Sequence, residues 1–199
     1  MNITSDDARV RLLEAALDLF TEKGYAAASV SEIVSRAGVT KPMLYYYFKN
    51  KEGIYTELMD QAFTDFKILL KKYESVEKDV YIQINNMFRD IMNLHAAKLK
   101  HARLIYAMVY GPPQGAPFID FEEYHAIMAE MLNRMIKKGV DNGELEDVVT
   151  EDFTTILLSV LFFCMDTQII KCSCMLGIED VSRITGKLFD KIIIKRGEG

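Results

Sequence analysis

The sequence predicts an all-α protein of about nine helices. Apolar residues recur every three to four positions along nearly the whole chain, and no segment sustains the period-two alternation of a strand. Only 4 of the 199 residues are proline, and three of these lie together in 112–117, so long stretches are free to form helices. A hydrophobic fraction of 50% and a charged fraction of 27% are typical of a folded globular chain.

The first two helices carry clear start and stop signals. The first is predicted over 6–23 and ends at Gly24, because glycine favours the position just past a helix end. Its predicted buried stripe consists of Val10, Leu13, Leu17 and Phe20. The second helix begins after Ser29, which forms the capping-box pattern with Glu32, and it ends at Gly38.

A tight turn from Gly38 to Thr40 leads into a short third helix. Thr40 is its predicted cap, and Pro42 falls in the first turn, where a missing N–H costs little. Leu44 and Phe48 are four residues apart and define the inner face. The same helical spacing directs the following side chains outward: Pro42, Met43, Tyr45 and Tyr46.

The remaining helices are separated by turn-forming residues. Asn50 is the predicted cap of the fourth helix, Thr150 of the eighth, and Gly177 precedes the ninth. Two breaks are predicted at the proline-rich loop 111–117 and at 141–143. The predicted ranges of helices four to nine are 51–73, 78–97, 101–110, 119–140, 151–174 and 178–195.

One short segment is basic on an acidic molecule. The chain has a formal net charge of −5, yet residues 33–51 contain no acidic side chain. Their basic residues are Arg36, Lys41, Lys49 and Lys51. A local positive region of this size is suited to a small phosphate-contacting face.

Two short helices joined by a glycine turn and braced by a first helix form the helix-turn-helix arrangement, whose second short helix enters the DNA major groove. Lys41, Met43 and Tyr46 are placed to face bases. The residues placed to donate to phosphates are Ser29, Thr40, Tyr45 and Lys51. The alternative is a helical hairpin with a solvated face, in which the tyrosines only cap a core.

The motifs of this region resemble those of the TetR family of transcriptional regulators over roughly residues 6–60. The matching segments are 13–20 (LEAALDLF), 23–25 (KGY), 29–33 (SVSEI), 37–40 (AGVT), 44–48 (LYYYF) and 51–52 (KE). The resemblance implies a DNA-binding domain over 6–66, with its recognition motif at 29–48, and a ligand-binding and dimerisation domain over 67–199. It also implies that Lys41, Pro42 and Met43 occupy the base-facing turn and that Lys51 contacts phosphate.

The resemblance further implies the partners. They are double-stranded operator DNA of palindromic sequence, a second copy of the chain, and a small, largely apolar effector that releases a repressor. A regulator without a small-molecule inducer, or an activator, is the alternative. The last two helices would form the dimer interface through Leu157, Val160, Leu161, Val181, Ile184, Leu188 and Ile192; otherwise these residues only close a monomer core.

Most of the 11 methionines lie in the second half of the chain, close in sequence to many aromatic residues. Such side chains form adaptable apolar pockets, although each of them could equally be core filling. The candidate pocket residues are Phe88, Met92, His95, Tyr106, Tyr110, Phe121, Tyr124, Met128, Phe162 and Asp166. Asp166 interrupts an apolar helix and needs a partner such as Lys171 or a cationic ligand.

Other classes of function receive little support. The Ser-x-x-Lys pattern of acyl transfer occurs at 75–78 without its accompanying motifs, so no catalytic residue and no cofactor are predicted. A helical interaction module that does not bind DNA is a second rival. The three histidines have no metal-ligand spacing, so no metal site is expected. Cys164, Cys172 and Cys174 are expected as free thiols in a reducing cytoplasm, and no membrane span is predicted.

Overall fold

The computed structural model describes residues 5–75, 79–170 and 176–193. These residues form nine α-helices and no β-strand; one isolated bridge joins Leu145 to Ile193. The all-α prediction is therefore confirmed for this part of the chain. The helices are α1 (Ser5–Lys23), α2 (Val30–Ala37), α3 (Lys41–Phe48), α4 (Lys51–Lys71), α5 (Val80–Ala97), α6 (Leu99–Val109), α7 (Glu122–Asp141), α8 (Thr150–Ile170) and α9 (Ile178–Phe189).

The chain divides into two compact units that are not contiguous in sequence. The N-terminal unit comprises Met1–Asp65 together with Lys98–Ile119, and the C-terminal unit comprises Phe66–Ala97 together with Asp120–Gly199. The sequence analysis instead predicts two domains that are each continuous in sequence, with a single boundary after residue 66. The segment Lys98–Ile119, which holds α6 and the proline-rich loop, therefore belongs structurally with the N-terminal helices.

In the N-terminal unit, α1 packs against α2, α3 and α6. Leu12, Ala16 and Phe20 are buried in its core, but Val10 is 49% exposed, so its predicted inward position is wrong. The other members of the predicted stripe, Leu13, Leu17 and Phe20, are buried, so the exposed residue is the one nearest the start of α1.

In the C-terminal unit, α5 packs against α7, α8 and α9 around one apolar core. Several helix ends differ from the predicted ranges: α9 ends at Phe189 rather than at 195, and two other differences follow from local hydrogen bonds. The Asp120 carboxylate accepts from the backbone N–H groups of Glu122 and Glu123, so α7 begins after it rather than at 119. Thr150 is the first residue of α8, not its cap, and the carbonyl of Val149 accepts from the N–H of Phe153.

Candidate DNA-binding surface and regulatory residues

Helix α2 is fixed by caps that the sequence predicted, whereas Thr40, the predicted cap of α3, makes no capping hydrogen bond with its side chain. The Ser29 hydroxyl and the Glu32 carboxylate form the capping box at the start of α2. Gly38 ends α2 with φ 65, in the left-handed region, and its N–H reaches the last carbonyls of the helix. Leu44 and Phe48 of α3 are buried in the N-terminal core, so the direction of the opposite face of α3 is set by packing.

The outward face of α3 presents large polar-tipped side chains. Tyr46 is 80% exposed and Tyr45 is 51% exposed, while Lys41 and Pro42 are exposed and Met43 is half-buried. A surface tyrosine normally buries more of its ring than Tyr46 does. The face is therefore available for contact with a partner along its whole length.

Two of the four basic residues of 33–51 contact neighbouring groups of the protein, and the other two make no ion pair with a described residue. Arg36 pairs with Glu22 at 2.7 Å, and Lys51 turns toward backbone carbonyls. No described residue forms an ion pair with Lys41 or Lys49, which are exposed at the two ends of α3. Lys49 was not among the predicted DNA contacts. Only the fold shows that its charge, unlike that of Arg36, is not neutralised by a neighbour.

Lys49 also holds an uncommon backbone conformation. It caps the C-terminus of α3 with φ 65, one of two non-glycine residues with positive φ in the described chain. Such a conformation disfavours a side chain with a Cβ and is found more often at functional positions.

The Lys51 side chain links α4 to the turn before α2. Its ammonium donates to the carbonyls of Tyr25 at 2.8 Å and Ala28 at 3.0 Å, and it lies 4.2 Å from the centre of the Tyr25 ring. Burial lowers the pKa of Lys51. An ammonium has three donors, so one remains for a phosphate while two hold the turn.

Ser29 and Thr40, the two hydroxyls predicted to contact phosphate, differ in their bonding. The Ser29 hydroxyl donates to Glu32 at 2.7 Å, so its only proton is used in the capping box. Glu32 also pairs with Lys23, and these contacts lower the pKa of Glu32 to about 2. Thr40 is exposed at the N-terminus of α3 and makes no capping hydrogen bond with its side chain.

The segment Lys98–Ile119 braces the DNA-binding helices from within the N-terminal unit. Leu104 of α6 is buried in the same core as Phe20 and Leu44. Lys100 pairs with Asp18 of α1, and Lys98 pairs with Asp65 at 3.1 Å. The Gln114 side chain lies against Gly24, so closely that no Cβ would fit there. Local sequence patterns do not reveal these contacts, because they join residues far apart in the chain.

The ten predicted pocket residues fall into both units. Tyr106 and Tyr110 belong to the N-terminal unit, with ring centres 5.4 Å apart, and the other eight belong to the C-terminal unit. Phe88, Met92 and Met128 are buried in the C-terminal core. Two further members of the set have aromatic neighbours. The ring centre of Tyr124 lies 6.3 Å from that of Phe66, and the ring centre of Phe162 lies 4.9 Å from that of His125. Phe121 and Asp166 are half-buried.

His95 is the most unusual of the predicted pocket residues. It is buried, and its Nδ1 lies 3.0 Å from Oε1 of Gln168. Burial lowers the pKa of His95, opposed by the hydrogen bond to Gln168 and by the charge of Asp166. Its Nε2 has no hydrogen-bond partner among the described residues.

Cysteines and metal ligands add no further site. Cys164 is a buried free thiol whose pKa is raised by burial, as expected for a core residue. Cys172, Cys174 and Lys171, the suggested partner of Asp166, lie outside the described residues. In the part of the chain that the structure describes, no three histidine, cysteine or acidic side chains are grouped to hold a metal.

The predicted dimer residues are mostly directed into the protomer. Leu157, Leu161 and Val181 are buried in the C-terminal core, so they are unavailable as a surface, and the prediction that they meet a partner is wrong. The reason is that the apolar side chains of α8 lie on two faces. Val160, Leu188 and Ile192 are partly buried against the same core, and Ile184 is half-buried.

The second apolar face of α8 consists of Ile156, Phe163 and Ile170, hereafter the α8 stripe. These side chains are 45%, 59% and 70% exposed and are spaced seven residues apart. The helix is long and apolar enough to cross a membrane by length and composition, with 33% of its apolar window buried. Its inner face fills the C-terminal core.

The fold and the surface define a class of protein. A helix-turn-helix with an exposed recognition helix, linked to a separate helical unit, is the organisation of a DNA-binding transcriptional regulator. The comparisons with known proteins give the family. Residues 12–58 match the model of the bacterial regulatory proteins of the tetR family. The chain belongs to the TetR family of transcriptional regulators.

Individual relatives agree with this assignment. The chain is 37% identical over 95 residues to the HTH-type regulator YdgC of Bacillus subtilis, an alignment covering 42% of this chain and 47% of that protein. It is 32% identical over 140 residues to the repressor ComR of Escherichia coli, covering 67% and 65% of the two chains. Its fold is similar to that of NalD, the secondary repressor of the MexAB-OprM pump in Pseudomonas aeruginosa. That match has a TM-score of 0.69 and 18% identity, and it covers 96% of this chain and 98% of NalD.

Proposed function

We propose that this regulator is a ligand-responsive repressor that binds a palindromic operator as a homodimer. The observation that carries the DNA-binding part of the proposal is the outward face of α3. It has exposed tyrosines between two lysines that no described acidic residue neutralises. The repressor assignment is supported by relatives such as ComR and NalD, which are described as repressors.

The dimensions of α3 support entry into the major groove. An α-helix with its side chains is about 10–12 Å in diameter, and the major groove of B-DNA is about 12 Å wide. Lys41 lies at the N-terminal end of α3, where its ammonium can face a base edge, and Lys49 lies at the C-terminal end, where its ammonium can reach a phosphate beside the groove. The half-buried Met43 has no hydrogen-bonding group and is suited to a thymine methyl, whereas Tyr46 can donate to a base edge.

The α8 stripe supports dimerisation. Apolar side chains at a seven-residue spacing form one narrow seam, the arrangement by which two helices pack against each other. The opposite face of α8 packs in the C-terminal core, and a second copy of the chain is the proposed occupant of the exposed stripe. Dimers bind two half-sites about one helical turn apart, which accounts for a palindromic operator.

The effector response is proposed to act through the chain connections between the two units, which lie at 65/66, 97/98 and 119/120. Helix α4 crosses the boundary at residue 65, and α6 follows α5 after a single residue. Because α5 and α7 are core helices of the C-terminal unit, a ligand that displaces them pulls on α6, which braces α1. The ligand and the operator then weaken each other's binding by the same factor.

The test is selection of operator sequences from random DNA by the purified protein, in the cytoplasmic range of salt and pH in which we propose that it acts. A palindromic consensus is expected, and a reporter gene under this operator should be repressed. Lys41→Ala and Tyr46→Phe should shift the preferred bases. Selection of no sequence would contradict the DNA-binding proposal, whereas increased reporter expression would favour the activator alternative.

A further inference from the structure

The C-terminal unit contains a buried imidazole with one unsatisfied nitrogen. His95 on α5 is 7% exposed, and its Nδ1 is engaged by Gln168 on α8. No group of the described residues forms a hydrogen bond with its Nε2. Since buried polar atoms in proteins nearly always have a partner, an orphaned one calls for a group beyond the described residues, which a bound ligand can supply.

The bonding of Nδ1 determines what Nε2 can do. Oε1 of Gln168 is an acceptor, so the ring proton lies on Nδ1 and Nε2 has a free lone pair. Burial also disfavours the charged imidazolium. A neutral ring in this tautomer accepts one hydrogen bond at Nε2 and offers no positive charge to a ligand.

We propose that His95 Nε2 accepts a hydrogen bond from the effector, which is an apolar molecule with a neutral donor such as a hydroxyl or an amide N–H. This inference rests on the proposed ligand response of the C-terminal unit. A carboxylate is disfavoured because it has no proton to donate and because Asp166 acts on the same ring with negative charge. Ile91 and Met92, one turn earlier on α5, are buried and supply the apolar surroundings.

The selectivity follows from the unsatisfied nitrogen. A ligand of the same shape without a donor leaves Nε2 buried and unpaired, and such sites discriminate strongly against analogues that lack the group. Gln168 is a positioning residue, because it fixes the tautomer without contacting the ligand.

The experiment compares two isomers that differ only in the donor. 1-Decanol has a hydroxyl, 1-methoxynonane has the same atoms with an ether oxygen, and decanoic acid supplies a carboxylate. Calorimetric titration of the full-length protein should show decanol binding about tenfold more tightly than either. In His95→Phe the two isomers should bind within about twofold of each other. His125→Phe, an exposed histidine of the same unit, is the matched control and should keep the preference.

A spectroscopic measurement covers the case in which His95→Phe does not fold. Long-range ¹H–¹⁵N spectra of the wild-type protein should show Nε2 unprotonated and should shift when decanol is added, and Gln168→Leu should mix the two tautomers. Equal affinity for the isomers, no saturable decanol binding, or an unchanged Nε2 signal would overturn the inference; the last result would assign the nitrogen to a buried water. Operator binding measured without any probe tests the proposed function separately.

Discussion

The ammonium of Lys51 donates a 2.8 Å hydrogen bond to the backbone carbonyl of Tyr25 while lying over the ring of the same residue. A residue that the family resemblance assigns to phosphate contact thus also holds the turn that precedes α2. DNA affinity and the stability of the N-terminal unit are therefore coupled through one side chain.

Replacement of this lysine should affect both properties. Lys51→Met keeps most of the aliphatic stem but leaves the carbonyls of Tyr25 and Ala28 without their donor, so we expect a loss of about 2 kcal/mol of stability. Operator affinity should fall for all sequences alike, with a salt slope smaller by about one unit. The control is Lys41→Met, which should weaken DNA binding and change stability by less than about 0.5 kcal/mol. Equal stability of the two variants in urea unfolding would contradict the assigned structural role.

The strained backbone of Lys49 gives a second test. Lys49→Gly removes the charge and relieves the positive φ, whereas Lys49→Ala removes the charge and keeps the strain. We expect the glycine variant to be more stable than the alanine variant by about 1 kcal/mol. Both should lose operator affinity with a reduced salt dependence. Wild-type affinity in both variants, measured by fluorescence anisotropy at several salt concentrations, would remove Lys49 from the DNA-binding surface.

The capping box of α2 should make the stability of the helix-turn-helix sensitive to acid. Lys23 and Ser29 lower the pKa of Glu32 to about 2 from an ordinary value of 4.5. Because the folded pKa is the lower one, this contribution to stability is complete above about pH 4.5 and is lost as the pH falls toward 2. The measurement is the Tm as a function of pH for the wild type and Glu32→Gln. The difference in Tm between the wild type and Glu32→Gln should shrink as the pH falls across this range. A Tm difference that does not change with pH would exclude the ionised carboxylate as its cause.

The close contact between Gly24 and Gln114 can be tested against a matched glycine. Gly24 has φ 84 and Gly115 has φ 65, but only at Gly24 would an added Cβ collide with a neighbouring residue. Because the colliding atoms are the amide end of the flexible Gln114 side chain, Gly24→Ala should destabilise the protein more than Gly115→Ala by at most about 1 kcal/mol. The double variant Gly24→Ala with Gln114→Ala should recover the excess. Equal losses at the two glycines would mean that the loop does not pack on the turn before α2.

The α8 stripe and the α8 core face should respond differently to substitution. Phe163→Asp should dissociate the dimer in sedimentation experiments while leaving the protomer folded, because Phe163 is exposed in the single chain. Leu157→Ala should instead destabilise the protomer by about 2–5 kcal/mol, since the side chain is fully buried. Thr155→Asp, at an exposed position outside the stripe, is the control for introducing a charge into α8. A dimer that survives Phe163→Asp would place the interface elsewhere.

The sequence alone determined the all-α fold, the helix-turn-helix and most helix ends. These features depend on interactions between residues a few positions apart, such as the capping box of Ser29 with Glu32 and the left-handed stop at Gly38. The outward direction of Tyr45 and Tyr46 was also predictable, because Leu44 and Phe48 fix the inner face of so short a helix.

The tertiary structure decided which of these residues are available to a partner. Arg36 and Lys49 are both basic residues of one segment, and only long-range packing pairs Arg36 with Glu22 and leaves Lys49 without an ion pair. Helical periodicity does not show which of the two apolar faces of α8 is buried. Leu157 was therefore expected at the dimer interface, although it is buried in the protomer and Phe163 is exposed. The placement of α6 with the N-terminal helices was likewise invisible, since its contacts with α1 join residues about 80 positions apart. Such contacts depend on the net burial and charge pairing of the whole folded chain, which local sequence patterns do not encode.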